Sequence, residues 1–177
     1  MARAYTIGHS THELDALVEL LREHGVTGVA DVRAFPGSRR VPHMSAETLA
    51  LELPARGVRY EHLRELGGRR RPVPGSPNDG WDNDAFRGYA DHMATPAFAA
   101  GLDRLMALAA ETPTAVMCAE AVWWRCHRRM IADALVIRGW DVRHIGPEGL
   151  LTRHKLTPFA QVDGERITYP AAQMRLE

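Results

Sequence analysis

The chain has 177 residues, 45% of them hydrophobic and 25% charged, which is long enough for one domain with a substantial apolar core. Its 22 basic and 22 acidic residues cancel, so no overall field draws it to nucleic acid or to an anionic membrane. The first residues lack the apolar segment of a secretion signal, no apolar run approaches the ~18 residues of a membrane span, and two cysteines are too few for a disulfide framework, so we expect a soluble cytoplasmic protein with free thiols.

Short β-rich runs alternate with helical patterns along the chain, which predicts an α/β fold. We expect a single domain over 1–177, with a mainly parallel sheet of about five strands flanked by helices in Rossmann-like layering. In chain order the predicted strands are 4–8, 28–33, 58–62, 114–118 and 140–145, with an edge strand at 166–169. The predicted helices are 14–24, 45–55, 86–93, a helix that starts at 96, and 126–138.

Capping signals fix where several of these helices start. Ser10 and Glu13 have the S-x-x-E spacing of a capping box, so Ser10 is predicted to cap the first helix. Ser45 is expected to cap the second helix, and Thr95 with Pro96 is typical of a cap followed by the first helical position.

A long irregular segment at 64–82 contains four Gly, three Pro and four Arg. Loops of this length inside compact domains are usually functional or disordered. We therefore expect this loop to cover the site, where Arg69 and its two neighbouring arginines can clamp an anionic ligand.

Polar side chains with chemical function follow the predicted strands at their carboxyl ends. In open parallel sheets, ligands bind outside these ends, so the residues are expected to face one common surface. Two simpler interpretations stay open, because Ser10 can act only as a helix cap and Asp31 can simply pair with Arg33. The residues concerned are His9, Ser10, Asp31, Arg33, Glu61, His62, Cys118, Glu120 and His144.

The segment 118–128 is the most informative part of the chain, with the sequence Cys-Ala-Glu-Ala-Val-Trp-Trp-Arg-Cys-His-Arg. It joins a strand to a helix whose first turn can hold an anion, and Arg125 and Arg128 would add bidentate donors. The same field lowers the pKa of a nearby thiol, so either cysteine is a candidate nucleophile. The candidate acids and bases beside them are Glu120 and His127.

One observation argues against a known type of catalytic cysteine loop, and two alternatives to a catalytic role remain. Loops that cradle an anion around a catalytic cysteine usually use glycine, whereas this segment has two tryptophans and no glycine. Cys118, Cys126, His127 and His9 are suitable metal ligands, yet no paired Cys-x-x-Cys or His-Glu-x-x-His spacing occurs, so no metal site is predicted. Cys118 can also be a small buried apolar residue.

Several blocks in the same order give the chain a family resemblance. They are Thr-Ile-Gly-His-Ser at 6–10, Asp-Val-Arg at 31–33, Pro-Gly-Ser-Arg-Arg at 36–40, Leu-Gly-Gly-Arg at 66–69, Phe-Arg-Gly-Tyr-Ala at 86–90, Cys-Ala-Glu at 118–120 and Cys-His-Arg at 126–128. Over about residues 5–145 the chain resembles the domain of unknown function family 488, apart from Trp123, where the family pattern has proline. The resemblance brings no activity with it, but it implies that these blocks line one cavity.

The leading hypothesis is an enzyme, either a hydrolase or a transferase, that acts on a small anionic ligand. Phosphate-bearing and nucleotide-like compounds are the favoured substrates. The sequence indicates neither a cofactor nor an oligomeric state. Cys118 or Cys126 would supply the thiol, and His9, Asp31, Glu120 and His127 would handle protons. The predicted binding residues are Ser10, Arg33, Arg39, Arg40, Arg69, Arg125 and Arg128.

Two other functions stay open. A non-catalytic nucleic-acid-binding module would use Arg39, Arg40 and the arginines at 69–71, although the zero net charge argues against it. A thiol-based redox or metal-responsive protein would use Cys118 and Cys126.

Overall fold

The computed structural model describes residues 1–37 and 40–172. It contains a six-stranded sheet in the order β3-β2-β4-β1-β5-β6, in which the first five are parallel and β6 runs antiparallel to β5. This confirms the predicted α/β fold with a mainly parallel sheet. The strands are β1 (Arg3–Gly8), β2 (Gly28–Asp31), β3 (Arg59–His62), β4 (Thr114–Cys118), β5 (Asp141–Ile145) and β6 (Leu151–Arg153).

In the part of the chain that the structure describes, five α-helices flank the sheet: α1 (Leu14–Glu23), α2 (Ala46–Ala55), α3 (Asp84–His92), α4 (Pro96–Glu111) and α5 (Arg128–Val136). Two of the predicted caps are confirmed. Ser45 Oγ accepts the backbone N–H of Thr48 at 3.2 Å, and Thr95 Oγ1 accepts that of Phe98 at 3.3 Å. No helix in the described residues 1–37 and 40–172 is long and apolar enough to cross a membrane.

Three local predictions were wrong. Helix α1 has Glu13 at its N-cap without a side-chain capping bond, whereas Ser10 lies in a tight turn with φ of +46° and is not the cap. Helix α5 starts two residues later than predicted, because Trp123–Arg125 forms a 3₁₀ turn that leaves Cys126 extended. The predicted edge strand belongs to a separate hairpin of β7 (Gln161–Asp163) and β8 (Arg166–Thr168).

The sheet separates two apolar clusters. Alternation along β4 sends Ala115 and Met117 towards α1 and α2, and sends Val116 and Cys118 towards α4 and α5. Cys118 therefore leaves the sheet on the same side as the helix that follows Cys126. This shared face is what brings the two thiols together.

Candidate functional site

A cavity of about 730 Å³ opens at the carboxyl ends of β1, β2 and β4. Its size is typical of a small-molecule site, and its position is the one expected for ligands of open parallel sheets. Gly68 and Arg69 from the long loop 64–82 form part of its wall. Its lining includes these sequence-predicted residues: His9, Ser10, Arg33, Arg40, Arg69, Cys118, Glu120, Arg125, Cys126 and His127.

The ends of β1 and β4 continue to pair beyond the sheet and form the floor of this cavity. The backbone N–H of His9 donates to the Cys118 carbonyl at 2.9 Å, and that of Ser10 donates to the Ala119 carbonyl at 3.0 Å. Gly8 permits this approach, because a Cβ there would lie 1.9 Å from the Glu120 carbonyl oxygen. Sequence reasoning gave Gly8 no function, although a glycine before a polar strand end is a signal of close backbone approach.

The two cysteines lie in contact beneath the cavity. The sulfur atoms of Cys118 and Cys126 are 2.8 Å apart, both residues are buried, and both are free thiols. Cys126 Sγ also accepts the backbone N–H of Arg128 at 3.4 Å and lies 3.5 Å from His127 Nδ1. His127 Nε2–H donates to the Val32 carbonyl at 2.7 Å, so Nδ1 is the ring nitrogen that faces Cys126 Sγ and can take the thiol proton.

These contacts shift the pKa values of the two thiols in opposite directions. Burial opposes ionisation of Cys126, but the hydrogen bonds to Cys118 and His127, with the nearby charges of His127 and Arg128, outweigh it and lower the pKa of Cys126. Burial raises the pKa of Cys118, and the adjacent Cys126 raises it further. The arrangement therefore favours a thiolate at Cys126 and a neutral thiol at Cys118.

Asp31 and Arg33 form a buried ion pair at the end of β2, which confirms the simpler interpretation of this pair. The Arg33 Nε and Nη2 groups donate to the two Asp31 carboxylate oxygens at 2.9 and 2.7 Å, and Tyr60 OH donates to the same carboxylate at 2.6 Å. Asp31 has no surface in the cavity. It holds the guanidinium of Arg33, which does line the cavity.

His9 is held between the backbone and this ion pair. Its Nδ1–H donates to the Ser10 carbonyl at 2.9 Å, and its Nε2 accepts from Arg33 Nη1 at 3.3 Å. Burial and the Arg33 charge together lower the pKa of His9. The ring is thus neutral, and its acceptor nitrogen is engaged by Arg33.

Arg128 differs from its predicted role. It was expected to contact the anion, but its side chain is fully buried and does not line the cavity. Its Nη2 donates to the Glu120 carbonyl at 2.6 Å and its Nη1 donates to Thr6 Oγ1 at 3.1 Å. Arg128 therefore positions the loop that carries Glu120.

The mouth of the cavity carries positive charge. Arg69 has a φ of +59° and its guanidinium lies 5.3 Å from the centre of the exposed Phe35 ring. Within residues 1–37 and 40–172, neither Arg69 nor Arg125 makes a side-chain hydrogen bond or ion pair, so both can meet an anion. The exposed side chains of Arg40 and Glu120 complete the mouth. Arg39, predicted to bind the ligand, lies outside the described residues.

A row of buried, hydrogen-bonded side chains runs from Arg128, which holds the 118–128 loop, to Asp133 on helix α5. Thr6 Oγ1 lies 2.6 Å from His144 Nδ1, His144 Nε2 lies 2.9 Å from His154 Nδ1, and His154 Nε2 lies 2.7 Å from Asp133 Oδ1. Arg128 donates to Thr6 at one end and the Asp133 carboxylate accepts at the other, so each side chain between them can donate one hydrogen bond towards Asp133. Of this row, sequence reasoning named His144 at a strand end and missed Thr6, Asp133 and His154 as functional residues.

Trp123 covers this row of hydrogen-bonded side chains on its outer side. Its ring stacks on that of His144 at 4.2 Å with an interplanar angle of 3°. Burial, with the nearby His154 and Arg128, lowers the pKa of His144 to about 2. Trp123 therefore anchors the 118–128 loop on this neutral imidazole.

No three His, Cys, Asp or Glu side chains in the described part of the chain converge to hold a metal ion.

The sequence profile of the family described as "Domain of unknown function DUF488" matches residues 13–135. No curated protein and no solved structure matches the chain.

Proposed function

The chain belongs to the DUF488 family, and we propose that it is an enzyme that binds an anionic, phosphate-bearing or nucleotide-like substrate and attacks it with the Cys126 thiolate. The observation that carries this proposal is the environment of Cys126 Sγ, where two side chains and a helix N–H meet at one sulfur atom on the wall of a cavity. A sulfur atom with such partners is stabilised as the nucleophilic anion.

The geometry of Cys126 and His127 is that of a nucleophile and its base. The Val32 carbonyl fixes the ring of His127, so that its free Nδ1 faces the sulfur atom at 3.5 Å. The Tyr89 ring packs 5.0 Å from the imidazole and restricts its rotation. Transfer of the thiol proton to Nδ1 then produces a thiolate beside an imidazolium.

Anion recognition rests on the arginines around the cavity. Arg33 presents its guanidinium from the floor, while Arg69 and Arg125 lie at the mouth without hydrogen-bonded partners among the described residues. Guanidinium groups bind phosphate oxygens with two parallel hydrogen bonds. Phe35 and Phe86 supply apolar surface in the same cavity, as a nucleobase would require.

The reaction follows from these positions. The Cys126 sulfur forms a bond to the electrophilic atom of the substrate, and the bond to the leaving group breaks with its electron pair on the leaving group. That group takes the proton held by His127. Water, or a second acceptor in a transferase, then gives a proton to Glu120 or His127, forms a bond to the transferred group and releases Cys126 as the thiolate.

The segment 64–82 has a proposed role in the same reaction. Gly68 packs against His127, since a Cβ on that glycine would lie 3.0 Å from the His127 Nδ1 atom. With Arg69 at the mouth, we place this segment over the bound substrate, where it excludes water from the thiolate. The chemistry requires reduced thiols, which suits a cytoplasmic enzyme.

Alkylation by iodoacetamide tests the proposal. We expect fast modification of Cys126 alone at pH values below the ordinary thiol pKa. Inorganic phosphate or adenosine monophosphate should slow this alkylation in a dose-dependent manner. Cys126→Ser should abolish the fast reaction, and the matched variant Cys118→Ser should keep a reactive Cys126. Slow alkylation with an ordinary thiol pH profile would exclude the thiolate, and reaction without protection by either anion would exclude the substrate class.

A further inference from the structure

We propose that Cys118 and Cys126 form a reversible intramolecular disulfide when a hydroperoxide enters the cavity, with Cys126 as the atom that is oxidised and Cys118 as the resolving thiol. This modification rests on the Cys126 thiolate of the proposed function, but it requires no substrate. It adds a redox reaction to the same site.

The two sulfur atoms are already close to bonding distance. The two sulfur atoms are 2.8 Å apart, and a disulfide needs about 2.05 Å, so closure of the bond requires a movement of about 0.8 Å. Cys118 ends strand β4, and Cys126 lies between the 3₁₀ turn Trp123–Arg125 and helix α5, so regular elements flank both thiols. Arg128 anchors the intervening loop at Glu120, which keeps the two thiols opposite each other.

A small oxidant can reach the two sulfur atoms through the cavity. Both residues line the cavity although each side chain is almost fully buried, with exposures of 3% for Cys118 and 6% for Cys126. A compound as small as hydrogen peroxide can enter this space, whereas a second protein's thiol cannot. Oxidation within one chain is therefore favoured over a disulfide between two chains.

The two thiols differ in their hydrogen-bond partners, and this decides which sulfur is oxidised first. Once its proton is on His127 Nδ1, Cys126 Sγ can accept from the Cys118 thiol, the His127 ring and the Arg128 N–H, so it is the sulfur that carries negative charge. Among residues 1–37 and 40–172, the partners of Cys118 Sγ are the other sulfur and the Glu120 carbonyl, the latter at 3.6 Å. Peroxides oxidise the thiolate first, and a neighbouring thiol then resolves the product.

The balanced chemistry has two steps. The Cys126 thiolate attacks one oxygen of the hydroperoxide, the O–O bond breaks, and the alcohol or water leaves after it takes a proton, so Cys126 becomes a sulfenic acid. The Cys118 thiol then attacks the Cys126 sulfur, the S–O bond breaks, and water leaves with the proton of Cys118. An external dithiol returns both residues to thiols and is itself oxidised to a disulfide.

The consequence for the site is direct. In the disulfide, Cys126 is no longer a thiolate that can attack a substrate, and it has no proton to give to His127. Reduction restores both. The same two sulfur atoms therefore decide whether the cavity can react at all.

Intact-mass spectrometry of the full chain tests the inference, because the protein has no cysteine besides these two. After brief treatment with near-stoichiometric hydrogen peroxide, we expect the wild type to lose the mass of two hydrogens, to form no dimedone adduct, and to recover its mass in dithiothreitol. Cys118→Ser should instead trap a dimedone adduct on Cys126. Cys126→Ser should react at least about tenfold more slowly, because its remaining thiol is neutral.

Two results would overturn the inference: a wild type that accumulates sulfenic or sulfinic acid without loss of two hydrogens, or disulfide-linked dimers as the main product. The wild-type mass alone decides this, whether or not the variants fold. Iodoacetamide labelling of the reduced protein separates this failure from that of the proposed function. Fast, anion-protected alkylation without a disulfide would leave the enzyme and remove only the redox step.

Discussion

Arg128 Nη2 donates to the carbonyl oxygen of Glu120 at 2.6 Å from within the protein. The guanidinium is fully buried, and its other amino group donates to Thr6 in the neighbouring strand. Because the Arg128 side chain does not line the cavity but donates to the backbone of the 118–128 loop, it can affect the site only through the position of that loop. Arg128 is thus a positioning residue for the loop that carries Glu120.

Replacement of this arginine should affect stability and reactivity together. Arg128→Met leaves the Glu120 carbonyl and Thr6 without their donor, so we expect a loss of about 3 kcal/mol in the free energy of unfolding. Urea denaturation measures this, and iodoacetamide labelling should show slower alkylation of Cys126. The exposed Arg125→Met is the control and should change stability by less than about 0.5 kcal/mol. Equal stability of the two variants would contradict the role of Arg128.

Gly8 should tolerate no side chain. In Gly8→Ala the new Cβ would overlap the Glu120 carbonyl, which lies at 1.9 Å, so strand β1 and the loop must separate. We expect a cost of about 3 kcal/mol, measured by thermal or urea unfolding. Gly37→Ala is the matched control, because a Cβ there meets nothing within 4 Å. A neutral Gly8→Ala would show that the loop moves freely.

Stability should fall as the pH decreases below about 6.5, the ordinary histidine value. The pKa of His144 is lowered to about 2 and that of His9 is also lowered, so the unfolded chain binds protons that the folded chain does not. A group with a depressed folded pKa loses its contribution as the pH falls, at about 1.4 kcal/mol per pH unit for each fully shifted histidine.

Urea denaturation between about pH 6.5 and 4.5 checks this, above the range where carboxylates dominate. His144→Asn should flatten the dependence by roughly 2 kcal/mol over that interval. The same slope in wild type and variant would show that His144 is not the neutral group of the buried row.

Asp133 should be the most sensitive position on helix α5. Its carboxylate accepts His154 Nε2–H at 2.7 Å, the Thr157 N–H at 3.0 Å and Tyr169 OH at 2.8 Å. Asp133→Ala leaves three buried donors unpaired, and we expect a loss of about 4 kcal/mol. Tyr169→Phe removes one bond and should cost about 1 kcal/mol.

Differential scanning calorimetry can compare both variants with Asp163→Ala, a substitution in the exposed strand β7. The expected order of melting temperatures is Asp163→Ala highest, Tyr169→Phe next and Asp133→Ala lowest. Equal melting temperatures for the first and last of these would contradict a buried hub at Asp133.

Much of the fold followed from local patterns. The run 114–118 was predicted at its true ends, and Ser45 and Thr95 were identified as caps, because alternation and capping depend on neighbours in the chain. The capping box at Ser10 was wrong for the same reason. Its spacing is correct, but pairing with the backbone of Ala119 holds Ser10 in a turn before the helix.

The sequence by itself determined that polar residues with chemical function follow the parallel strands. Each apolar run and the polar residues after it are neighbours in the chain, so a local pattern identifies them. Only the tertiary structure decided which of them meet. The strand order places β1 between β4 and β5, so His9 lies beside Cys118, and Thr6 lies beside His144. Whether an arginine faces the cavity like Arg33 or supports a loop from inside like Arg128 depends on packing across that order, which no local pattern encodes.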